Sequence, residues 1–348
     1  MAIKIIKKIP SQEEIEQAAP LSAVGYTAIL KDRQEICDIL SGKDDRLLLI
    51  IGPCSAWPFD AVIEYATRLI SLKKELNLEK EFKVIMRVYT QKPRTTTGWN
   101  GPINQPDPLG QPDIAGGIKY TRKLMVQLIE MGLPIANEAV FTHDSMKFFP
   151  DLLSWMAIGA RSSEDQEHRI YASAVDCPVG MKNPTSGSIK IGVNSIIAAQ
   201  TSQVAVFHGH QIESSGNKYA HLVLRGGESG PNYATKFVLE AGDLMKKNNI
   251  LNPAIIIDAS HDNSKVDGKK NPEQQIKVVQ ESIAELKSNL AVKNLVKGFM
   301  IESFIKSGSQ TIDPRYPESI DRGGLSVTDP CINWETTAEL LSAIFKKI

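Results

Sequence analysis

Four side chains far apart in the chain, Cys54, His261, Glu302 and Asp329, offer a thiolate, an imidazole and two carboxylates. That mixture of soft and hard donors suits one divalent transition metal ion, manganese first, with iron, cobalt or zinc as the other choices. Each alone has a blander reading, as a buried thiol packing like a small hydrophobe, a capping histidine and two surface acids. A second set is cationic and comprises Arg87, Lys92, Arg94, Arg161, Lys182 and Arg225. Six cations brought to one place repel one another unless highly charged anions sit among them, and guanidinium forks match phosphate and carboxylate oxygens in pairs. A Lewis acid beside such a cluster is chemistry for polarising a carbonyl while phosphates are held, the arrangement of an aldol-type, carbon–carbon bond-forming site. The sequence contains no Walker loop and no Ser/His/Asp set in a hydrolase context, which argues against phosphoryl transfer from ATP and against acyl hydrolysis.

These residues meet only if the fold gathers them. The recurring pattern is a short apolar run closed by turn residues and followed by an amphipathic stretch. The first run, Arg46 to Ile51, is closed by Gly52-Pro53, and Asp60 to Leu76 then places Val62, Ala66, Leu69 and Leu76 on one helical stripe. Further runs lie at Phe82 to Tyr89, Leu133 to Ala139, Met156 to Ala160, Cys177 to Lys182, His221 to Leu224, Ala254 to Ala259 and Val296 to Ile301. Helical patterns lie between them, among them Ile118 to Met131, Ser145 to Trp155, Glu164 to Val175, Ser188 to Ala199, Asn232 to Lys247, Gln275 to Leu290 and Trp334 to Lys347. Gln203 to Gly216 reads as an inserted β-hairpin. Eight strand–helix units close into a parallel (β/α)8 TIM barrel, so the expected class is α/β, with a catalytic barrel over 46–348. A doubly wound open sheet is the alternative, but no GxGxxG follows the first strand. Residues 1–45 form an N-terminal helical arm, with a capping box of Ser11 and Glu14 and an apolar-periodic stretch from Leu21 to Leu40. The arm is expected to pack on a partner subunit or on the outside of the barrel.

In such a barrel the chemistry sits just past the C-terminal ends of the strands. Cys54 follows strand one, Arg87 and Lys92-Pro93-Arg94-Thr95-Thr96 follow strand two, and Glu138 lies in strand three. Arg161, Lys182, Arg225, His261 and Glu302 close strands four to eight. The metal candidates thus come from ends one, seven and eight, which are neighbours once the barrel closes, and a shared location weakens four separate accidents. Gly159, Gly180, Gly226 and Gly227 are expected to let the backbone approach a ligand. The 40 Lys plus Arg against 40 Asp plus Glu leave no net charge to attract nucleic acid or an anionic membrane. The N-terminus lacks a signal-peptide pattern, and no apolar run reaches the roughly 18 residues of a membrane span. The four cysteines form no CxxC pair, so free thiols in a soluble cytoplasmic protein are expected. Cys331, two residues after Asp329, is expected to bring its sulfur near Cys54.

Several segments carry a family resemblance. They are Gly52-Pro53-Cys54-Ser55, Met86-Arg87-Val88-Tyr89, Lys92-Pro93-Arg94-Thr95-Thr96-Thr97-Gly98-Trp99, Gly159-Ala160-Arg161-Ser162-Ser163, Cys177-Pro178-Val179-Gly180-Met181-Lys182-Asn183, Leu224-Arg225-Gly226-Gly227, Asp258-Ala259-Ser260-His261 and Ser326-Val327-Thr328-Asp329. In this order, from about residue 21 onward, the chain resembles the type I alpha group of 3-deoxy-D-arabino-heptulosonate 7-phosphate synthases. The resemblance implies a metal-dependent barrel enzyme that condenses phosphoenolpyruvate with erythrose 4-phosphate and water and releases phosphate, the first step of the shikimate route to aromatic amino acids.

It implies Cys54, His261, Glu302 and Asp329 as metal ligands, the same four read from their chemistry. Arg87, Ala160, Arg161, Lys182 and Arg225 match positions that bind phosphoenolpyruvate, and Arg94 and Thr95 match those that take the phosphate of the aldose. Lys92 lies between the two sites, and Lys92, Glu138 and His261 are the candidates for proton transfer. A homodimer or homotetramer is implied. Two departures from the family pattern are Ala56-Trp57-Pro58-Phe59-Asp60 and Asn137-Glu138-Ala139. The region of Met146, Lys147 and Ser173 corresponds to the feedback-inhibitor region of many relatives, and its first two positions also depart. The alternatives are a related phosphoenolpyruvate-dependent synthase using another aldose, and a catalytically inactive regulatory barrel.

Overall fold

The computed structural model describes residues 2–94, 98–140, 149–207 and 210–346. Eight strands, β1 (Leu47–Gly52), β2 (Phe82–Arg87), β3 (Ile135–Ala139), β4 (Trp155–Ile158), β5 (Val179–Lys182), β8 (His221–Leu224), β9 (Ile255–Asp258) and β12 (Val296–Glu302), form a closed barrel. All of its ladders are parallel, and it closes where β1 pairs with both β2 and β12, with Gly52 opposite Glu302. The expected hairpin is present as β6 (Val204–Phe207) paired antiparallel with β7 (His210–Glu213). A second small hairpin, β10 (Lys265–Val266) with β11 (Lys269–Lys270), was not legible because its strands are two residues long and polar.

Helices alternate with the strands: α3 (Phe59–Glu75), α4 (Ile114–Glu130), α5 (Gln166–Ala174), α6 (Ile189–Gln200), α7 (Thr235–Lys247), α8 (Gln274–Ser288), α9 (Leu290–Leu295) and α10 (Trp334–Phe345). The helical pattern expected over 145–155 is only partly covered, since 141–148 lie outside the described residues. At its far end it is corrected: Trp155 opens β4. Its ring fills the barrel interior, which a helical reading of an isolated aromatic could not anticipate. Gly180 explains how it fits. A Cβ there would lie 2.3 Å from Trp155 Cζ2 and 2.7 Å from Val223 Cγ2. Gly180 therefore makes room for packing rather than for a ligand, and Gly159 does likewise for Glu138, whose Oε1 would be 2.7 Å from its Cβ.

The strands alternate as a barrel requires, with Leu49 and Ile51 packing outward under the helices and Leu48 and Ile50 pointing into the interior cluster. The arm begins with α1 (Gln12–Ala18), capped by the Ser11–Glu14 box, and continues as α2 (Ala23–Leu40). Ile36, Ile39 and Leu40 of α2 belong to the same interior cluster as Leu48, Ile50, Ile85 and Ile256. The second helix thus plugs the N-terminal mouth of the barrel instead of lying on its outer wall. Lys83, buried in β2, is held at this mouth by Asp32 (2.7 Å) and Glu35 (2.9 Å) of α2. Among the described residues, no helix is long and apolar enough to cross a membrane.

One interior group makes the fold sensitive to acid. Burial pushes His221 down to about 4 from its ordinary 6.5. Its Nε2 accepts a hydrogen bond from the Trp155 indole at 3.1 Å. Between those two pH values the unfolded chain takes up a proton that the folded imidazole refuses. Stability is therefore full above 6.5 and falls by up to about 3 kcal/mol as the pH drops through the window. His221→Gln, which still accepts from the indole but does not titrate, is expected to lose less stability between pH 7 and pH 4 in urea unfolding. An equal loss in both proteins would assign the acid sensitivity to other groups.

Candidate active site

The barrel order β1-β12-β9 puts the three expected ligand-bearing strand ends side by side. One ligand atom each from Cys54, Glu302 and Asp329 lies within 4.8 Å of the others. Cys54 and Glu302 are fully buried. Burial, and after it the Glu302 charge, pushes the Cys54 thiol up to about 11. A thiol and two carboxylates packed this closely are stabilised in their ionised forms by a cation among them, and a divalent ion both neutralises the acids and holds the sulfur as thiolate. The donor set therefore fits a transition metal.

His261 stands beside this group but outside it. Its Nδ1 lies 2.9 Å from Asp258 Oδ2, off the hydrogen-bonding direction, so that both atoms are left without a hydrogen bond among the described residues. The backbone at His261 is left-handed, with φ 55°. Burial and the nearby Lys182 ammonium push the imidazole well below its ordinary value, which leaves it neutral at pH 7 with a lone pair to offer. Burial works to raise Glu302, but with His261 neutral the Arg87 and Lys92 cations still hold it far below the carboxylate range. Glu302 is fixed from both sides, by Arg87 Nη2 at 2.9 Å and by the Ser260 hydroxyl donating at 2.6 Å. The Gln275 side chain clamps the backbone of the same residue, accepting its N–H at 2.8 Å and donating to its carbonyl at 3.0 Å.

Above the group opens a cavity of about 290 Å³ lined by Lys92, Arg94, Arg161, Lys182, Arg225 and Lys270 against Glu138 and Asp329, with Ala160 and His261 beside them. The cations expected from the strand ends do converge, and Arg87 lies fully buried beneath them. Thr95 lies outside the described residues. Lys92 donates to the Cys54 carbonyl at 2.8 Å and to its sulfur at 3.2 Å. Burial acts to lower Lys92, but Cys54, Glu138 and Glu302 hold it above its ordinary value, so it stays protonated. Lys182 lies 3.5 Å from Glu138 and 3.6 Å from Asp258. Two buried donors, Arg87 Nη1 and Arg225 Nε, have no hydrogen-bond partner among the described residues. Buried guanidinium N–H groups left open in this way are suited to an anion's oxygens, since leaving them unmet costs about 1–3 kcal/mol or more each.

Sequence reasoning missed Lys270, which pairs with Asp329 from the small β10–β11 hairpin, and Ser260 and Gln275, which hold Glu302. Ser260 lies in the Asp258-Ala259-Ser260-His261 segment; Lys270 follows a polar turn that carries no chemical signal. The two departures are accommodated locally. Asn137 accepts from the Thr90 backbone N–H at 3.2 Å and donates to the Thr90 hydroxyl at 3.3 Å, tying β3 to the loop that carries Lys92. Trp57 packs edge-on against Trp99, with ring centroids 6.3 Å apart. Cys331 and Cys54 both carry buried free thiols, and burial, followed by the Glu302 charge, pushes the Cys331 thiol well above its ordinary value. Met146 and Lys147 lie outside the described residues, while the Ser173 hydroxyl is 2.8 Å from that of Ser214.

The model of the DAHP synthetase I family matches residues 14–342. Over 97% of its length the chain is 39% identical to the Tyr-sensitive phospho-2-dehydro-3-deoxyheptonate aldolase of Salmonella typhimurium, covering 92% of that protein. It is 37% identical, again over 97% of its length, to the phospho-2-dehydro-3-deoxyheptonate aldolase of Corynebacterium glutamicum, covering 91% of it. The solved structure of phospho-2-dehydro-3-deoxyheptonate aldolase from Francisella tularensis superposes with a TM-score of 0.90 at 35% identity, over 99% of this chain and 98% of that one. With a shared barrel, a match along nearly its whole length and relatives well above the level at which families are recognised, this (β/α)8-barrel enzyme belongs to the DAHP synthetase I family.

Proposed function

We propose that the enzyme condenses phosphoenolpyruvate with erythrose 4-phosphate and water to give 3-deoxy-D-arabino-heptulosonate 7-phosphate and phosphate, the first step towards aromatic amino acids. The observation that carries this reading is the cation-lined cavity set directly over the Cys54, Glu302 and Asp329 group. One divalent transition metal ion per subunit, manganese first, would be held by those three residues with His261 as the fourth ligand. When bound it supplies a Lewis acid for the aldehyde oxygen.

The chain's own groups do the rest. Arg87, Arg161, Lys182 and Arg225 bind the carboxylate and phosphate of phosphoenolpyruvate, with the open N–H groups of Arg87 and Arg225 taking oxygens and Ala160 lining the same wall. Arg94 and Thr95 take the phosphate of the aldose. This places carbon 3 of phosphoenolpyruvate to attack the aldehyde carbon, after which water adds at carbon 2 and phosphate leaves. Lys92, protonated and between the two anion sites, serves as an acid and not as a base. His261, neutral, serves as a ligand, which leaves the Glu138 carboxylate to accept the proton from water. Ile3, Ile5 and Ile6 stand 76%, 89% and 92% exposed, apolar surface that a second copy would cover in a homodimer or homotetramer.

Phosphate release measured with phosphoenolpyruvate and either erythrose 4-phosphate or arabinose 5-phosphate tests the reading. The four-carbon aldose is expected to be turned over in strong preference. Preference for arabinose 5-phosphate would assign the chain to a neighbouring synthase, and release with neither would make it a barrel without this activity.

A further inference from the structure

Tyr89 lies just beyond β2 and is fully buried in the barrel's interior cluster with Ile85, Trp155 and Met300. Among the described residues its hydroxyl makes only a weak contact, 3.7 Å from the Met300 sulfur. Three cations stand over the ring: Arg87 Cζ at 4.0 Å from the centroid, Lys92 Nζ at 5.6 Å and Lys182 Nζ at 5.6 Å. They come from the end of β2, the loop after it and the end of β5, so that one ring ties together three separate strand-end segments. All three distances fall within the roughly 6 Å over which an aromatic face attracts a cation, and the attraction is strongest where water is excluded.

The choice of side chain under these cations is informative. Each already has an anionic or soft partner on another side: Arg87 has Glu302, Lys92 has the Cys54 sulfur and Lys182 has Glu138. Two of those partners belong to the group that would hold a metal. A carboxylate in place of Tyr89 would neutralise the cluster and repel an incoming anion. An aliphatic side chain would leave three like charges against apolar surroundings with those partners alone to offset their repulsion. A neutral ring with a negative face attracts the cations and leaves their charge available.

We propose that Tyr89 is a positioning residue for the substrate anion, a π platform that holds Arg87, Lys92 and Lys182 at the spacing a phosphorylated carboxylate requires before that substrate arrives. This rests on the reading of the cavity as the phosphoenolpyruvate site. The ring contributes to affinity because cations already held in place need not be ordered on binding. It acts on the phosphoenolpyruvate side of the cavity and not on Arg94, so the two substrates should respond differently.

The test replaces the ring face without replacing its shape. Tyr89→Phe, which keeps the ring and loses only the weak hydroxyl contact, is the reference. Mono-, di- and trifluorinated phenylalanine at the same position reduce the negative charge of the face stepwise with little change in volume. Tyr89→Met removes the face altogether. In the metal-loaded full-length protein, phosphoenolpyruvate binding measured by titration calorimetry is expected to weaken in the order of fluorine number. For Tyr89→Met the loss of three cation–ring contacts is expected to weaken it roughly tenfold to a hundredfold. The KM for erythrose 4-phosphate and the thermal midpoint are expected to stay nearly constant across the fluorinated series, which a merely structural role would not produce. Affinity independent of fluorine number, or rising with it, would overturn the proposal while leaving the substrate reading intact. No phosphoenolpyruvate binding by the unsubstituted protein would overturn both.

Discussion

Cys54→Ala is expected to fold and to lose divalent-metal binding by more than about a hundredfold, and with it turnover. The substitution removes one buried sulfur and adds no volume, so the barrel is retained. What disappears is the soft donor of a three-member group whose ligand atoms lie within 4.8 Å of one another. Glu302 cannot compensate, because Arg87 and the Ser260 hydroxyl already fix its two oxygens. Equilibrium dialysis against manganese, alongside a thermal melt, separates metal loss from unfolding. Retention of the wild-type affinity by a folded Cys54→Ala protein would remove the sulfur from the site. His261→Ala belongs in the same assay, since its imidazole stands beside the group rather than within it. A folded variant that no longer holds manganese is expected. Undiminished binding would reduce the ligand set to the compact three.

The second large effect separates the two anion sites. Lys182 is nearly fully buried, so its ammonium is poorly screened by water, and Lys182→Ala also leaves Asp258 and Glu138 facing each other across the gap. Weaker phosphoenolpyruvate binding by about 1.5–3 kcal/mol is expected, a rise of roughly tenfold to a hundredfold in KM, with the KM for erythrose 4-phosphate little changed. Arg94 is exposed at the mouth of the same cavity. Arg94→Ala is expected to raise the KM of the aldose instead. The reverse pattern would exchange the two sites.

The strand ends were readable in the chain because a short apolar run closed by Gly-Pro, Arg, Lys or His marks both a buried parallel strand and the place where it meets solvent. Cys54, His261 and Glu302 therefore fell on adjacent strands as expected, and the polar Gln203–Gly216 stretch proved to be a hairpin. What was not readable depends on contacts between distant residues. Trp155 reads as the end of a helical pattern until Gly180, on the next strand, is seen to make space for its ring. Ile36, Ile39 and Leu40 read as one face of a surface helix until the barrel mouth they fill is present. Lys270 has no local signal at all and Ser260 only its place beside His261, because their partners Asp329 and Glu302 are brought to them only by the closure of the barrel. His261 shows the opposite limit: the sequence identifies the residue, but the orientation of its ring towards Asp258 is set by packing.

Turnover is expected to require a metal group and an anion cavity together. Phosphate release from phosphoenolpyruvate in the presence of erythrose 4-phosphate, followed in enzyme stripped exhaustively with a chelator and then titrated with manganese, measures both at once. The stripped enzyme is expected to be inactive while keeping its thermal midpoint within a few degrees, and activity is expected to return in proportion to metal bound, reaching its maximum near one ion per chain. Full turnover by metal-free enzyme would remove the metal from the reaction.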